Sequence, residues 1–220
     1  VKLLHLNGND LSVLTDQQLI QAGTMIDVLL KNKVTKSDNL DTFIPVHKMT
    51  IGDRTALLIN LRIQLNKMYS MYALDENGKA FPTEFDLTTL QTKEGIDKPD
   101  EEGHFSFVFK KSYKEPVKAI FRLMIGEDEQ ILRKKQNSIT YKKSDYLILK
   151  LAHLCLSVGG NEDPLFIEAF LKQADMNEIV EFNKYINEVS PGIDLNIKVD
   201  SPTGNTIATF LTFGYDFFLT

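Results

Sequence analysis

Four histidines, one cysteine and two acidic runs are the residues of this chain best suited to ligate a metal or move a proton. His5, His47, His104 and His153 include no pair four residues apart, so none of them forms the two-histidine face of a helical metal site. Each reads as a surface or satisfied core histidine. Cys155 is the single cysteine, which excludes an intrachain disulfide framework and a zinc site built from several thiolates, and it reads as a buried core thiol. Glu127-Asp128-Glu129 and Glu162-Asp163 stand where helices begin, and there the helix dipole alone accounts for carboxylates. No glycine cluster is followed by Lys-Ser/Thr, and no serine sits in a Gly-x-Ser-x-Gly elbow, so neither a phosphate loop nor a hydrolase nucleophile is marked. An enzyme would need a site assembled from dispersed residues, with His104, Glu127 and Asp128 as its members.

The elements that would position these residues follow from apolar periodicity and punctuation. Leu19, Ala22, Ile26, Leu29 and Leu30 keep close to the 3.6-residue period, predicting one helix from about Thr15 to Asn32, followed by a polar connector over 34–41. Thr50-Ile51-Gly52-Asp53 resembles a capping box and opens a helix over 51–65. Phe105, Phe107 and Phe109 at strand spacing, then Val117 to Leu123 after Pro116, predict two antiparallel strands. The segment 93–103, rich in acids with two lysines, a proline and two glycines, predicts an exposed loop and the first place for disorder. Further helices are expected from Gly126, from Thr140 or Ser144 through Val158 to the stop at Gly159-Gly160, from Pro164, and from the cap Asp175 to Ser190.

Two hairpin-like segments lie far apart in the chain. Met68 to Leu74 turns at Asp75-Glu76-Asn77-Gly78 and resumes at Lys79-Ala80-Phe81. Ile193 to Val199 turns at Asp200-Ser201-Pro202-Thr203-Gly204 and resumes at Thr206 to Phe210. Both turns carry glycine for positive φ, and neither carries a reactive group. The fold class expected is α+β: a helical core with a small antiparallel β unit formed by hairpins distant in sequence. The segments are 1–66 helical, 67–124 β-rich, 125–192 helical and 193–220 a hairpin returning to the β part, all in one intertwined unit.

Composition bounds the partners. At 220 residues with 43% hydrophobic and 25% charged, the chain is long enough for one full core or two small ones. A net charge of -5 with only small basic clusters, Lys110-Lys111 and Arg133-Lys134-Lys135, argues against nucleic acid and against an anionic membrane. The first residues predict no targeting segment and the apolar runs predict no membrane span, so a protein made in a cytosol is expected.

In chain order, Phe43-Ile44-Pro45, Ile51 to Arg62, Phe121 to Glu129, the helix near Leu147, Phe170 to Asp175, Ser190 to Asp194, Ser201-Pro202-Thr203-Gly204 and Tyr215 to Phe218 resemble the T4-type phage baseplate protein family. The resemblance spans residues 43–218. It implies a component of the contractile-tail baseplate hub, retained in the virion, or a hub assembly factor that is not retained. Many members look to carry Cys-x-x-Cys knuckles at both turns, and this chain has no cysteine at either. A zinc-ribbon-like but metal-free unit is therefore expected, without cofactor, with its two turns in contact.

A baseplate protein acts through other tail proteins and in several copies, so its functional residues are contact residues. The candidates are Tyr69, Tyr72, Phe81 and Phe85 on the first hairpin and Tyr215, Phe217, Phe218 and Leu219 at the tail. The alternative for each is packing inside the monomer, and for the tail the choice is between its own core and a neighbour.

Overall fold

The computed structural model describes residues 1–36, 43–111, 113–136, 145–213 and 217–219. Its elements in chain order begin with β1 (Lys2–Leu3), α1 (Gly8–Thr15), α2 (Gln17–Ala22), α3 (Met25–Lys33), β2 (Val34–Thr35) and α4 (Ile51–Leu65). Strands β3 (Met68–Leu74), β4 (Ala80–Asp86), β5 (Thr92–Lys93), β6 (Phe105–Phe109) and β7 (Val117–Phe121) follow. Then come α5 (Gly126–Gln136), α6 (Tyr146–Leu154), β8 (Cys155–Val158), α7 (Pro164–Gln173) and α8 (Met176–Val189). The chain continues through β9 (Gly192–Ile193), β10 (Asn196–Asp200) and β11 (Thr206–Phe210). The fold is α+β, helices with small antiparallel sheets.

Two compact units result: residues 1–93 with 192–220, and residues 94–191. This differs from the expected run of four segments in one intertwined body, because the two stretches of strand in 67–124 feed different cores. Tyr69, Ala73 and Phe81 pack in a cluster with Leu29, Leu61, Ile197 and Val199. Phe105, Phe109 and Phe121 pack in another with Leu151, Leu154, Ile179 and Phe182. Strands β5 and β9, where the chain leaves the first unit and returns to it, pair with Thr92 opposite Ile193.

In the first unit the helix expected from about Thr15 to Asn32 is two, α2 and α3, and α1 precedes them as a helix that was not expected. Asn7 caps α1, accepting from the N–H of Asn9 while Asp10 Oδ2 accepts the N–H of Asn7, a reciprocal cap legible in Asn7-Gly8-Asn9-Asp10 but not read there. Asp16 then caps α2, and Gly23 ends it in the left-handed region at φ 66°, which a glycine adopts without steric cost. Helix α4 runs over the expected residues, with Thr50 Oγ1 accepting from Asp53 N–H.

Arg62, near the end of α4, is 1% exposed. Its guanidinium donates to three backbone carbonyls: Nη1 to Asn66 O at 2.5 Å, Nη2 to Met68 O at 3.1 Å and Nε to Phe217 O at 2.7 Å. Burial pulls its pKa below the usual arginine value, and the three acceptors compensate the cost of desolvation. Phe217 itself stacks edge-on against Tyr69, Phe213 and Phe218.

In the second unit β6, β7 and β8 form one antiparallel sheet in that order. The helix expected to run to Val158 stops at Leu154, because Cys155–Val158 extends to pair with β7, placing Phe121 opposite Cys155 and Ala119 opposite Val158. The apolar run Leu147 to Val158 fits either period locally, and the ladder with β7 decides. Its expected start at Thr140 or Ser144 lies outside the described residues. The acidic segment after Lys93 is tied to α8: Ile96 N–H donates to Glu188 O at 3.2 Å and Tyr185 Oη donates to Asp97 at 2.7 Å.

Replacing Arg62 with Met should cost about 2–4 kcal/mol in urea unfolding, since three carbonyls, that of Phe217 in a buried bond, lose a charged donor. Arg62→Lys should recover less than half of that loss, because one ammonium cannot span the three acceptors.

Candidate interaction surface

The first hairpin is built by strand alternation. Lys67 O accepts from Leu87 N–H and Asp75 N–H donates to Lys79 O, so the odd-numbered positions of β3 carry the ladder to β4. The same odd positions turn their side chains inward: Tyr69, Met71 and Ala73 face the core with Phe81, Thr83 and Phe85 opposite them. The even positions face out. Tyr72 is 75% exposed and Leu74 59% exposed, with Pro82 and Ala80 opposite them and also exposed.

The second hairpin repeats the arrangement with Ile197 and Val199 inward against Thr209 and Ile207, and with Phe210 outward, 54% exposed. The two turns meet. Glu76 Oε1 accepts from Thr203 Oγ1 at 2.6 Å and from Asn205 Nδ2 at 3.0 Å, and the Thr203 bond holds its carboxyl below the usual range. Gly78 and Gly204 close the turns at φ 77° and 87°. At the base of the first hairpin Asp86 is held at a pKa of about 2, chiefly by Lys67 and then by Thr88.

Several expected contact residues lie inside the protein instead. Tyr69 and Phe81 are buried in the first core, and Tyr69 Oη donates to Thr212 O at 3.3 Å. Phe217 and Phe218 are buried as well, because Arg62 holds the backbone of Phe217 and aromatic partners surround both rings. Phe85 is half-buried against the same core. Of the eight candidates, Tyr72 and Leu219 are exposed, and Tyr215 lies outside the described residues. Leu74, Ala80, Pro82 and Phe210 went unremarked, although period-two alternation from Tyr69 marks the outward positions of β3 once the register is known.

The residues with potential chemistry are committed to structure in the second unit. Asp128 is buried and accepts from Arg122 through both oxygens at 2.6 and 2.8 Å, from Ile125 N–H at 2.9 Å, and contacts His153 Nε2 at 2.8 Å. Burial alone would raise its pKa, but these hydrogen bonds outweigh it and hold the carboxyl well below the usual range. Arg122 is raised in turn by Asp128. Glu178 caps the end of β6, accepting from the N–H groups of Lys110 and Lys111 at 2.5 and 2.9 Å. His104 pairs with Glu102 at 3.3 Å, away from the partners of Asp128. Burial pushes the Cys155 thiol up to about 12. Among the described residues no group of three or more His, Cys, Asp or Glu side chains is arranged to hold a metal ion, and no helix is long and apolar enough to cross a membrane.

No family model, curated protein or solved structure matches the chain. The arrangement itself can hold two hairpins over one core and present an exposed apolar strip, Tyr72, Leu74, Ala80 and Pro82, on the outer side of the first.

Asp128 gives the second unit a definite pH dependence. Its folded pKa lies below the unfolded value, so its contribution is complete above about pH 5 and is lost as pH falls below about 4 toward the folded value. Asp128→Asn should lower stability at pH 7 by about 2–3 kcal/mol and flatten the acid limb of the stability curve, read by urea unfolding from pH 7 to pH 3.

Proposed function

We propose that the chain is a structural component of a contractile phage tail baseplate, in the hub region, working through protein–protein contacts within the particle. The observation that carries this reading is the outward strip on the first hairpin. Tyr72 and Leu74 are large apolar side chains held in the open by a rigid strand, facing away from the core that the hairpin covers. Exposed aromatic side chains on regular structure are characteristic of contact surfaces, since they bring large area at low entropy cost. The ordered resemblance over residues 43–218 supplies the particle and the partners: other baseplate and tail proteins, with several copies in a symmetric assembly.

The zinc-ribbon-like part of the reading rests on the turns. Knuckles in the resembling family bring two distant hairpins together; here Glu76, Thr203 and Asn205 make that junction by hydrogen bonds, and inward apolar residues fill the space beneath. A metal-free version of the same unit is the simplest account of these features. An enzyme built on His104, Glu127 and Asp128 is disfavoured by the partners these groups take, since Asp128 is enclosed by Arg122 and His153 and His104 turns to Glu102.

Purified particles should contain the protein at fixed stoichiometry, measured by quantitative mass spectrometry. Leu74→Asp should keep the melting temperature within about 3 °C, as expected for an exposed site, while incorporation falls at least several-fold. Presence in infected cells with absence from particles would replace the structural role with that of a hub assembly factor. Full incorporation of Leu74→Asp would remove the strip from the explanation.

A further inference from the structure

The edge of β3 is open in a way that the other side of its hairpin is not. Because the odd positions carry the ladder to β4, the N–H and C=O groups of Ser70, Tyr72 and Leu74 point away from it, and among the described residues they meet no backbone partner. Met68 closes one end of this row, since its N–H donates to Asn66 Oδ1 and its C=O accepts from Arg62. On β4 the outward positions are Ala80, Pro82, Glu84 and Asp86, where a missing N–H and two charges are the usual defences of an edge. Strand β3 has neither proline nor charge over Met68–Leu74.

We propose that the open edge of β3 pairs antiparallel with the same strand of a second copy of this chain, about a two-fold axis at Tyr72. That register sets Tyr72 opposite Tyr72 of the second copy and Ser70 opposite Leu74. It satisfies every open backbone group of both strands at once, and a shift by two residues in either direction strands a pair of them. It also sets Lys67 of each copy, whose ammonium its own Asp86 already holds, diagonal to Asp75 of the other, so a cation and a carboxylate lie near each other at both ends of the joined strands. The other uncharged edge, β11, has no charged residue from Thr203 to Phe213 and gains nothing of that kind. The product is a four-stranded sheet with the Tyr72 and Leu74 side chains of both copies on one face. The isologous contact is short and led by backbone, at the small end of interfaces below about 1,000 Å², so it forms at high protein concentration and strengthens where copies are held side by side.

The inference goes beyond the baseplate reading and does not depend on it, so it is tested with the purified full chain. Tyr72→Cys, Ser70→Cys and Leu74→Cys are oxidised mildly at high concentration. Paired residues in this register have Cα atoms about 5.5 Å apart, within disulfide reach, so the Tyr72→Cys chain should crosslink to itself at least tenfold faster than the other two. Ser70→Cys mixed with Leu74→Cys should give the mixed dimer. Cys155 is buried and does not compete. Sedimentation equilibrium of the unmodified chain should show a monomer–dimer equilibrium that weakens roughly tenfold or more in Tyr72→Lys, whose circular dichroism and melting temperature stay unchanged. A monomer at every attainable concentration, equal crosslinking at all three positions, or a dimer indifferent to Tyr72→Lys would each overturn the proposal. Self-pairing by a protein absent from particles would leave it standing while the baseplate reading fails.

Discussion

One buried guanidinium joins the end of α4 and the start of the first hairpin to a segment far away in the chain. Arg62 belongs to α4, its acceptors at Asn66 and Met68 begin the first hairpin, and its acceptor at Phe217 lies 155 residues away. A planar donor with fixed geometry is suited to this, because the three carbonyls must come to it from set directions. Once Phe217 is fixed, its ring supplies the edge against which Tyr69 packs, and Tyr69 reaches Thr212 with its hydroxyl. The inward face of β3 is thus determined by contacts on both sides. With that face decided, Tyr72 and Leu74 have nowhere to point but outward.

The second unit uses a carboxylate for the corresponding task. Asp128 stands in the first turn of α5 and gathers Arg122 from the end of β7, the N–H of Ile125, and His153 from α6. Asp128 thus does in the second unit what Arg62 does in the first, a buried charged group whose several partners fix where elements meet, with aromatic packing around it. Such groups specify geometry more than they add stability, because the alternative arrangements would leave them unsatisfied.

What the sequence revealed divides along physical lines. Local chemistry was readable: the Thr50 cap, Pro164 at the start of α7, the Asp175 cap, and both polar turns lie where their residue types require. The contact between the turns was reached through the family resemblance, and the structure has Glu76 bonded to Thr203 and Asn205. The helix break at Gly23 was obscured because the apolar period Leu19, Ala22, Ile26 continues across it. The strand at Cys155–Val158 was obscured because its state depends on pairing with β7, a non-local event. Burial of the tail aromatics had the same cause: nothing in Phe217-Phe218 says whether a distant arginine will hold it. The outward strip needed only the register of one hairpin, and that is why Tyr72 alone among the strand candidates emerged exposed.

The pairing of β5 with β9 gives the chain the form of a host interrupted by a guest. Residues 94–191 leave and rejoin the first unit at neighbouring strands, with Thr92 beside Ile193. During synthesis the guest is contiguous and has all its residues as soon as Pro191 has emerged. The host must keep α4 and the first hairpin waiting, with Tyr69 and Arg62 uncovered, until Phe217 arrives. A nascent chain that has not yet reached Phe217 therefore holds every residue of the guest while Arg62 in the host still lacks one of its three acceptors.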